Sequence, residues 1–285
     1  MNEHTRYLDF VKFTDIVSRV DRQMDEHPDL RQQPGKCHLL LDLRVELVLV
    51  HICHNLTQLF LADFYGVSQS TVSRIISRLR PIMLSILEPF RPDMDDLARE
   101  LATTFEESIA ADEPPPSVLI DGTLVKEAWR RGNKGVYSGK HKAAGRNVQV
   151  VADEQGRLLY AGEPQPGKMH DRKAVAETGI EAAIAASGLS GCGDMGYMGT
   201  AFNHPNRSSK YHKLTIAEEI ENRWINRLRA PVERCIGNIK GSLRILRTGI
   251  RVRGSERIAA VNETIVLAIS LYFYRRDWRP KSVRA

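Results

Sequence analysis

The chain of 285 residues has only four cysteines, and no two of them form a C-x-x-C pair. This scarcity excludes a disulfide framework and a structural zinc site of the usual spacing. The run with His51, Cys53 and His54 lacks a second pair of ligands, so it does not indicate zinc either. No stretch approaches about 18 uninterrupted apolar residues, and the N-terminus has no signal pattern. We therefore expect a cytoplasmic protein without a membrane partner.

Charge is unevenly distributed along the chain. Residues 1–112 carry 12 Lys and Arg against 18 Asp and Glu, whereas residues 113–285 carry 29 against 17. From Arg223 onward, 15 basic residues stand against 4 acidic ones. A basic surface of this kind suits a polyanion, and nucleic-acid phosphates are the main candidate. The alternative is a generic basic tail.

The first 112 residues are predicted to be helical, because apolar positions recur with the helical period and strand signals are few. Residues 57–80 have the layout of a helix-turn-helix, with a short first helix, a tight turn at Gly66 and a second helix capped by Ser68. The second helix is predicted to bury Val72, Ile75, Ile76 and Leu79. Its predicted DNA contacts are Gln69, Ser70, Ser73, Arg74 and Arg78. An ordinary helical hairpin with a glycine turn is the alternative.

A domain boundary is predicted in the acidic, proline-rich segment 106–117, which separates residues 1–112 from a second domain at 113–285. Short strands are predicted at Val118–Ile120, Val136–Ser138, Asn147–Ala152 and Leu158–Ala161. A helix from about Asp171 to Ala186 follows, and two further helices close the domain, the last over Ile258–Tyr274. Strands followed by helices indicate an α+β fold with helices packed on a sheet.

Three carboxylates stand out in the second domain. Asp121 ends the predicted strand VLIDGT, Asp194 lies in GCGDMGYMG, and Glu233 lies on the predicted helix NRLRAPVERCIGNIK. If the three converge, their oxygens suit a pair of Mg²⁺ or Mn²⁺ ions, which can promote phosphodiester chemistry. Taken singly, each aspartate also fits a turn or cap, and Glu233 also fits a surface ion pair with Arg229.

Basic side chains accompany these carboxylates. On a helix, Asn226, Arg229, Glu233 and Lys240 fall within about 60° of each other and form one polar stripe. Pro231 interrupts this pattern and predicts that the helix begins near Ala230. The segment after Asp121 adds Arg130, Arg131, Lys134, Lys140, His141 and Lys142. We predict phosphate contacts by Arg130, Arg131, Lys140, Lys142, Arg229 and Lys240.

Five motifs taken together resemble bacterial insertion-sequence transposases of the DDE superfamily. They are VLIDGT, YSGKHKAAGRNVQVVADEQGRLL, PGKMHD, GDMGYMG and RAPVERCIGNIKG. The closing signature of that family, Arg, three residues, Glu, six residues and Lys, is matched by Arg229, Glu233 and Lys240. The resemblance covers roughly residues 57–275.

The resemblance implies an RNase H-like catalytic domain, with a mixed sheet and packed helices, preceded by an all-α helix-turn-helix domain. It implies that Asp121, Asp194 and Glu233 form the catalytic triad that binds two Mg²⁺ or Mn²⁺ ions. The helix-turn-helix would recognise the terminal inverted repeats of the element in double-stranded DNA. Hydrolysis would free 3′-OH ends, and strand transfer would insert them into target DNA. The expected protein is a homodimer on DNA, cytoplasmic and associated with the nucleoid.

Two positions qualify the resemblance. Met195 stands where the family commonly has a lysine, which predicts a weakened phosphate contact rather than loss of metal binding. Asp171, next to His170, is predicted to cap a helix, with support of the metal site as the alternative.

Two other functions compete with that of an active transposase. One is a catalytically decayed relative, or a regulator of transposition, that only binds DNA. The other is a nuclease of the same fold without strand transfer. The presence of all three acids favours catalysis over the first, and only the family resemblance favours a transposase over the second.

Overall fold

A computed structural model describes residues 7–27, 38–127, 134–211, 213–251 and 257–277. The chain forms two compact units, and each contains segments from distant parts of the sequence. Of the described residues, the first unit comprises 7–27, 38–91, 126–127, 239–251 and 257–277, and the second comprises 92–125, 134–211 and 213–238. The predicted boundary between residues 112 and 113 stays a prediction.

The secondary structure elements are as follows. The helices are α1 (Phe10–Glu26), α2 (Leu41–His54), α3 (Gln58–Tyr65), α4 (Gln69–Leu87), α5 (Met94–Ala110), α6 (Asp171–Thr178), α7 (Ile180–Ser187), α8 (Ile216–Ser242), α9 (Arg244–Thr248) and α10 (Arg257–Arg275). The strands are β1 (Ser117–Lys126), β2 (Tyr137–Ser138), β3 (Ala143–Ala152), β4 (Leu158–Ala161), β5 (Gln165–Pro166) and β6 (Ser190–Cys192).

The first unit is a helical bundle in which α10 packs along α4, and α1 and α2 pack on α4 as well. The segment Ile258–Arg275 of α10 is long and apolar enough to cross a membrane, but 72% of it is buried inside the protein. Its side chains Ile265, Leu267 and Leu271 are completely buried, which is typical of a core helix. The helix predicted over Ile258–Tyr274 is therefore present, but it is a core element of the first unit and does not close the second domain as predicted.

The predicted helix-turn-helix is confirmed by α3, α4 and the turn between them. Gly66 has a φ of 63°, a left-handed conformation that glycine adopts without steric cost. The Ser68 hydroxyl then accepts a hydrogen bond from the Thr71 backbone N–H at 3.2 Å and caps α4. The apolar face of α4 is buried as predicted, at Val72, Ile75, Ile76 and Leu79.

The second unit is built on a mixed sheet with strand order β2-β3-β1-β6. Strands β1 and β6 are parallel, whereas β2, β4 and β5 each pair with β3 in antiparallel orientation. Side chains from this sheet and from α5, α6 and α7 form one apolar core, which includes Ile120, Val151, Leu101, Val175 and Ile184. The predicted α+β fold, a mixed sheet with packed helices, is confirmed.

Two local predictions in this unit are wrong. The helix predicted from Asp171 to Ala186 is two helices, because Gly179 adopts a φ of 78° and ends α6 before α7 begins. The helix expected to begin near Ala230 is instead α8, which runs without a break through Pro231. Ile225 and Val232 are both buried on the same side of α8, so packing on either side of the proline offsets the missing hydrogen bond.

Candidate active site

Asp121 on β1 and Asp194, two residues after the end of β6, occupy matching positions along neighbouring parallel segments. In the parallel pairing of β1 with β6, Leu119 lies opposite Cys192, and each aspartate is two residues farther along its strand direction. Because the two strands are parallel and in register, both carboxylates lie next to each other just beyond the carboxyl end of β6. Asp121 does not end its strand as predicted, since β1 continues to Lys126. The strand pairing nevertheless brings the two acids together.

The environment of Asp121 disfavours its negative charge. Its side chain is only 18% exposed. Burial raises the pKa of Asp121 to about 6, and the carboxylates of Asp194 and Asp171 also raise it, whereas Arg229 and Lys140 lower it. The region around Asp121 therefore concentrates negative charge that nearby cations only partly compensate.

Arg229 connects Glu233 with Asp121. Its Nη2 atom lies 3.9 Å from Asp121 Oδ2 and 3.8 Å from Glu233 Oε1. The continuous helix α8 places Arg229 one turn before Glu233 on the same face. The arginine is buried, whereas the Glu233 side chain is 61% exposed. In this arrangement the guanidinium faces carboxylates, and its contact with a DNA phosphate stays a prediction.

Asp171 is part of the same group of carboxylates, and the prediction that it caps a helix is wrong. The N-cap position of α6 is His170, and no side chain caps this helix. Asp171 Oδ1 instead accepts hydrogen bonds from Asn147 Nδ2 at 2.9 Å and Gln149 Nε2 at 3.1 Å. Two amides in β3 provide these donors, and they hold the Asp171 carboxylate beside Asp121 and Asp194.

Lys140 lies between two of the carboxylates. Its ammonium is 3.4 Å from Asp171 Oδ2 and 3.3 Å from Asp194 Oδ2. Partial burial lowers the pKa of Lys140, but the two aspartates more than offset this and raise it. The lysine is thus held in its charged form at the place where the two acids face each other.

Sequence reasoning missed Asn147, Gln149 and Tyr197. Tyr197 is completely buried, and its hydroxyl donates a 2.6 Å hydrogen bond to Gln149 Oε1. Gln149 Nε2 also donates to Asn147 Oδ1 at 3.2 Å. The sequence signal that could have identified Asn147 and Gln149 is the alternation of these two amides with valines in a strand that is otherwise apolar.

The donor set of this site fits a divalent cation. It consists of carboxylate oxygens, the ligands that Mg²⁺ and Mn²⁺ prefer. Within the described ranges, no three His, Cys, Asp or Glu side chains are close enough together to hold an ion. Lys140 and Arg229 instead lie between the acids, so cationic groups already occupy the positions where negative charge accumulates. A metal ion can replace such a cation without leaving uncompensated charge.

The predicted base-contacting residues of α4 fall into two groups. Ser70, Arg74 and Arg78 are exposed, and Arg74 Nε donates to the Ser70 carbonyl at 3.2 Å. Gln69 and Ser73 line a cavity of about 550 Å³ within the first unit. Gln69 is exposed as well, so of the five predicted residues only Ser73 is half-buried.

The remaining predicted phosphate contacts are spread over several elements. Lys142 is exposed in the turn before β3, where it has a φ of 48°. Lys240 is half-buried in the last turn of α8, and Met195 is 43% exposed beside Asp194. Arg130 and Arg131 lie outside the described residues.

Comparisons with known proteins identify the family of the chain. Residues 120–271 match the family model of the DDE superfamily endonuclease, and residues 37–89 match that of the helix-turn-helix of DDE superfamily endonuclease. A protein of Streptomyces albus G that carries the name of transposase for insertion sequence element IS112 is 30% identical over 204 residues, which are 71% of this chain and 70% of that protein. No solved structure matches the chain. Because the endonuclease model covers more than half of the sequence, the chain belongs to the DDE superfamily of insertion-sequence transposases, with a helix-turn-helix ahead of its endonuclease region.

Proposed function

We propose that this protein cleaves DNA at the ends of a mobile element and transfers the freed 3′-OH ends into target DNA. The observation that most supports this is the matching placement of Asp121 on β1 and Asp194 just after the parallel strand β6, with Glu233 linked to Asp121 through Arg229. Membership of an endonuclease superfamily supports DNA cleavage. The name of the Streptomyces relative, a transposase, supports the proposal that this cleavage serves transposition.

Asp121, Asp194 and Glu233 would hold two divalent cations, Mg²⁺ or Mn²⁺. Bound in pairs, such ions activate an attacking oxygen and stabilise the leaving oxygen of a phosphodiester. The partial burial of Asp121 and Asp194 supports this role, because it limits competition from bulk water for their oxygens. Glu233 is more exposed, so its carboxylate would be accessible to ions and to DNA that reach the site from solvent.

Basic residues of the chain would hold the DNA backbone beside the acids. Lys140 and Lys142 follow each other closely in the turn before β3, and Arg130 and Arg131 precede them in sequence. Arg229 and Lys240 on α8 complete this proposed set. Charged contacts of this kind fix the position of a phosphate but do not read bases.

The helix-turn-helix would bind the terminal inverted repeats of the element in double-stranded DNA. Its match to the helix-turn-helix model and the exposure of Ser70, Arg74 and Arg78 support this role. Two ends must be held together during transposition, so we propose a homodimer on DNA. A protein with this function acts in the cytoplasm on the nucleoid.

The decisive experiment is cleavage of a DNA duplex that carries the sequences flanking this gene, with Mg²⁺ or Mn²⁺ present. We expect metal-dependent nicking at defined ends by the unmodified protein, and joined products when target DNA is added. Asp194→Asn should slow nicking by about 1,000-fold or more, because losing a metal-binding carboxylate removes several kcal/mol of transition-state stabilisation. Binding to the same DNA should persist.

A second variant in the same assay separates DNA binding from chemistry. Arg74→Ala should weaken binding to the ends by about tenfold, which corresponds to the loss of one recognition contact. Arg99→Ala, an exposed arginine on α5, is the matched control and should bind as the unmodified protein does. Binding without nicking by the unmodified protein would contradict the proposal and favour the relative that only binds DNA. Nicking without joined products would favour a nuclease.

A further inference from the structure

The Asp171 carboxylate lies in a slot that two glycines leave open. Gly122 follows Asp121 directly, and a side chain there would overlap Asp171 Oδ1. Gly196 stands two residues after Asp194, and a Cβ atom there would lie 2.9 Å from Asp171 Oδ2. Both glycines have ordinary backbone conformations, so a positive φ does not explain them. The space they leave is filled by the carboxylate of Asp171.

The two oxygens of Asp171 have different surroundings. Oδ1 accepts hydrogen bonds from the amides of Asn147 and Gln149, and Gln149 is itself fixed by the buried hydroxyl of Tyr197. Within the described part of the chain, the contact of Oδ2 is with Lys140. The amide network therefore orients the carboxylate so that its second oxygen points toward Asp194.

Lys140 occupies the space between these acids without binding either tightly. Its distances of 3.4 Å to Asp171 and 3.3 Å to Asp194 exceed the 2.7–2.9 Å of strong charge-assisted hydrogen bonds. Its side chain is 56% exposed, whereas that of Asp171 is 11% exposed. The lysine can therefore swing away while the acid stays fixed.

We propose that Asp171 is a fourth acidic residue of the metal centre, whose Oδ2 binds the same cation as Asp194, and that Lys140 fills this position when no divalent ion is bound. This inference rests on the metal-dependent function proposed above. It explains Gly122, Gly196 and the amides of β3 together, because the glycines leave space for the Asp171 carboxylate and the amides orient its Oδ2 toward the cation. It also implies that a divalent ion must displace Lys140, which is then released toward a DNA phosphate.

The test is Mn²⁺ binding to the full-length protein without DNA, followed by electron paramagnetic resonance. Asp171→Asn keeps the shape and an oxygen for the two amides but removes the charge, and it should weaken Mn²⁺ binding about tenfold or more. Asp194→Asn should have at least the same effect. Glu177→Gln, the same kind of change at an exposed position of α6, is the matched control and should leave Mn²⁺ binding unchanged.

Lys140→Gln tests the second part of the proposal. Removing the competing ammonium should tighten Mn²⁺ binding several-fold in the absence of DNA, because the ion no longer has to displace a cation. Unchanged or weaker Mn²⁺ binding would overturn the displacement of Lys140. If Lys140 only supported the fold of the site, Lys140→Gln would weaken Mn²⁺ binding instead of tightening it.

Other outcomes separate this inference from the proposed function. If Asp194→Asn weakens Mn²⁺ binding and Asp171→Asn does not, Asp171 is structural and the inference is overturned alone. If neither variant changes Mn²⁺ binding, the metal centre itself is overturned. If Asp171→Asn does not fold, Gly122→Ala provides the test, because it displaces the carboxylate and keeps every charge; Gly135→Ala, which has open space for a Cβ, is its control.

Discussion

The second unit contains two clusters of charged residues, each with buried members, that differ in the length of their ionic contacts. In the first cluster, Arg157 donates to Glu100, which is completely buried, and its Nε donates to Asp153 Oδ2 at 2.9 Å. Asp153 Oδ1 also accepts the Arg157 backbone N–H at 2.7 Å. In the candidate site, ionic contacts of Lys140 and Arg229 are 3.3–3.9 Å long. One cluster has well-formed hydrogen bonds, and the other has loosely placed cations.

The difference separates a structural from a functional role for buried charge. Buried ions that are paired through short hydrogen bonds have little left to offer a ligand, and breaking such a pair is costly. Carboxylates whose counter-ions lie at longer distances keep free lone pairs and uncompensated negative charge, so they can bind another cation. A functional site of this kind lowers stability in the absence of its ligand. The comparison therefore predicts opposite effects on stability when each cluster is altered.

The largest effect is expected from Arg157→Met. It removes the guanidinium that faces buried Glu100, and should lower the free energy of unfolding by about 3–5 kcal/mol, as for other broken buried pairs. Urea denaturation gives this value directly. Arg99→Met removes an exposed arginine that pairs with Asp96 on α5, and should cost less than about 1 kcal/mol. Equal losses in the two variants would contradict a structural role for the Arg157 cluster.

Asp121→Asn is expected to act in the opposite direction in metal-free protein. The pKa of Asp121 is raised from 3.8 to about 6 in the folded state, so its ionised form destabilises the fold. The substitution should raise the free energy of unfolding by about 1–3 kcal/mol at pH 7. This gain is complete above about pH 6 and shrinks as the pH falls toward 4, where the carboxyl is protonated in both states.

The measurement is urea denaturation at pH 7 and pH 5 with a chelator present. Asp153→Asn makes the same chemical change in the well-paired cluster and should lower stability instead, because Asp153 accepts several hydrogen bonds in the folded protein. Destabilisation by both variants would remove the distinction between the two clusters.

The smallest effect is expected from Tyr197→Phe. This change removes the hydroxyl that donates to Gln149 Oε1, and should cost about 1–2 kcal/mol because a buried acceptor loses its donor. Tyr211→Phe, at a side chain that is 91% exposed, should be neutral. A neutral result for Tyr197→Phe as well would mean that the amide network behind Asp171 contributes nothing to stability.

Local sequence signals were sufficient for the helix-turn-helix and for most strands. A glycine that tolerates a positive φ, a serine cap and an apolar period of 3.6 predict the same turn and helix that the structure contains around Gly66 and Ser68. They failed at Pro231 and at Gly179. Pro231 is tolerated within α8 because of packing, whereas Gly179 ends a helix that periodicity alone would continue.

The candidate site was only partly accessible to prediction. Asp121, Asp194 and Glu233 were identified from their motifs, but their catalytic roles remain predictions. Asn147, Gln149 and Tyr197 were missed because their importance lies in contacts with residues more than 20 positions away in sequence. Asp171 was assigned to a cap because an aspartate at a helix start commonly has that role, and only its contacts show otherwise.

The sequence by itself determined the family, the α+β class and the helix-turn-helix, because composition, local turn chemistry and ordered motifs carry these features without reference to distant contacts. Only the tertiary structure decided that Lys140 lies between Asp171 and Asp194, and that Arg229 lies between Asp121 and Glu233. The pairing of β1 with β6 and the packing of α8 set these distances. The strength of an electrostatic interaction depends on the distance between the charges and on their burial, and neither can be read from the order of residues along the chain.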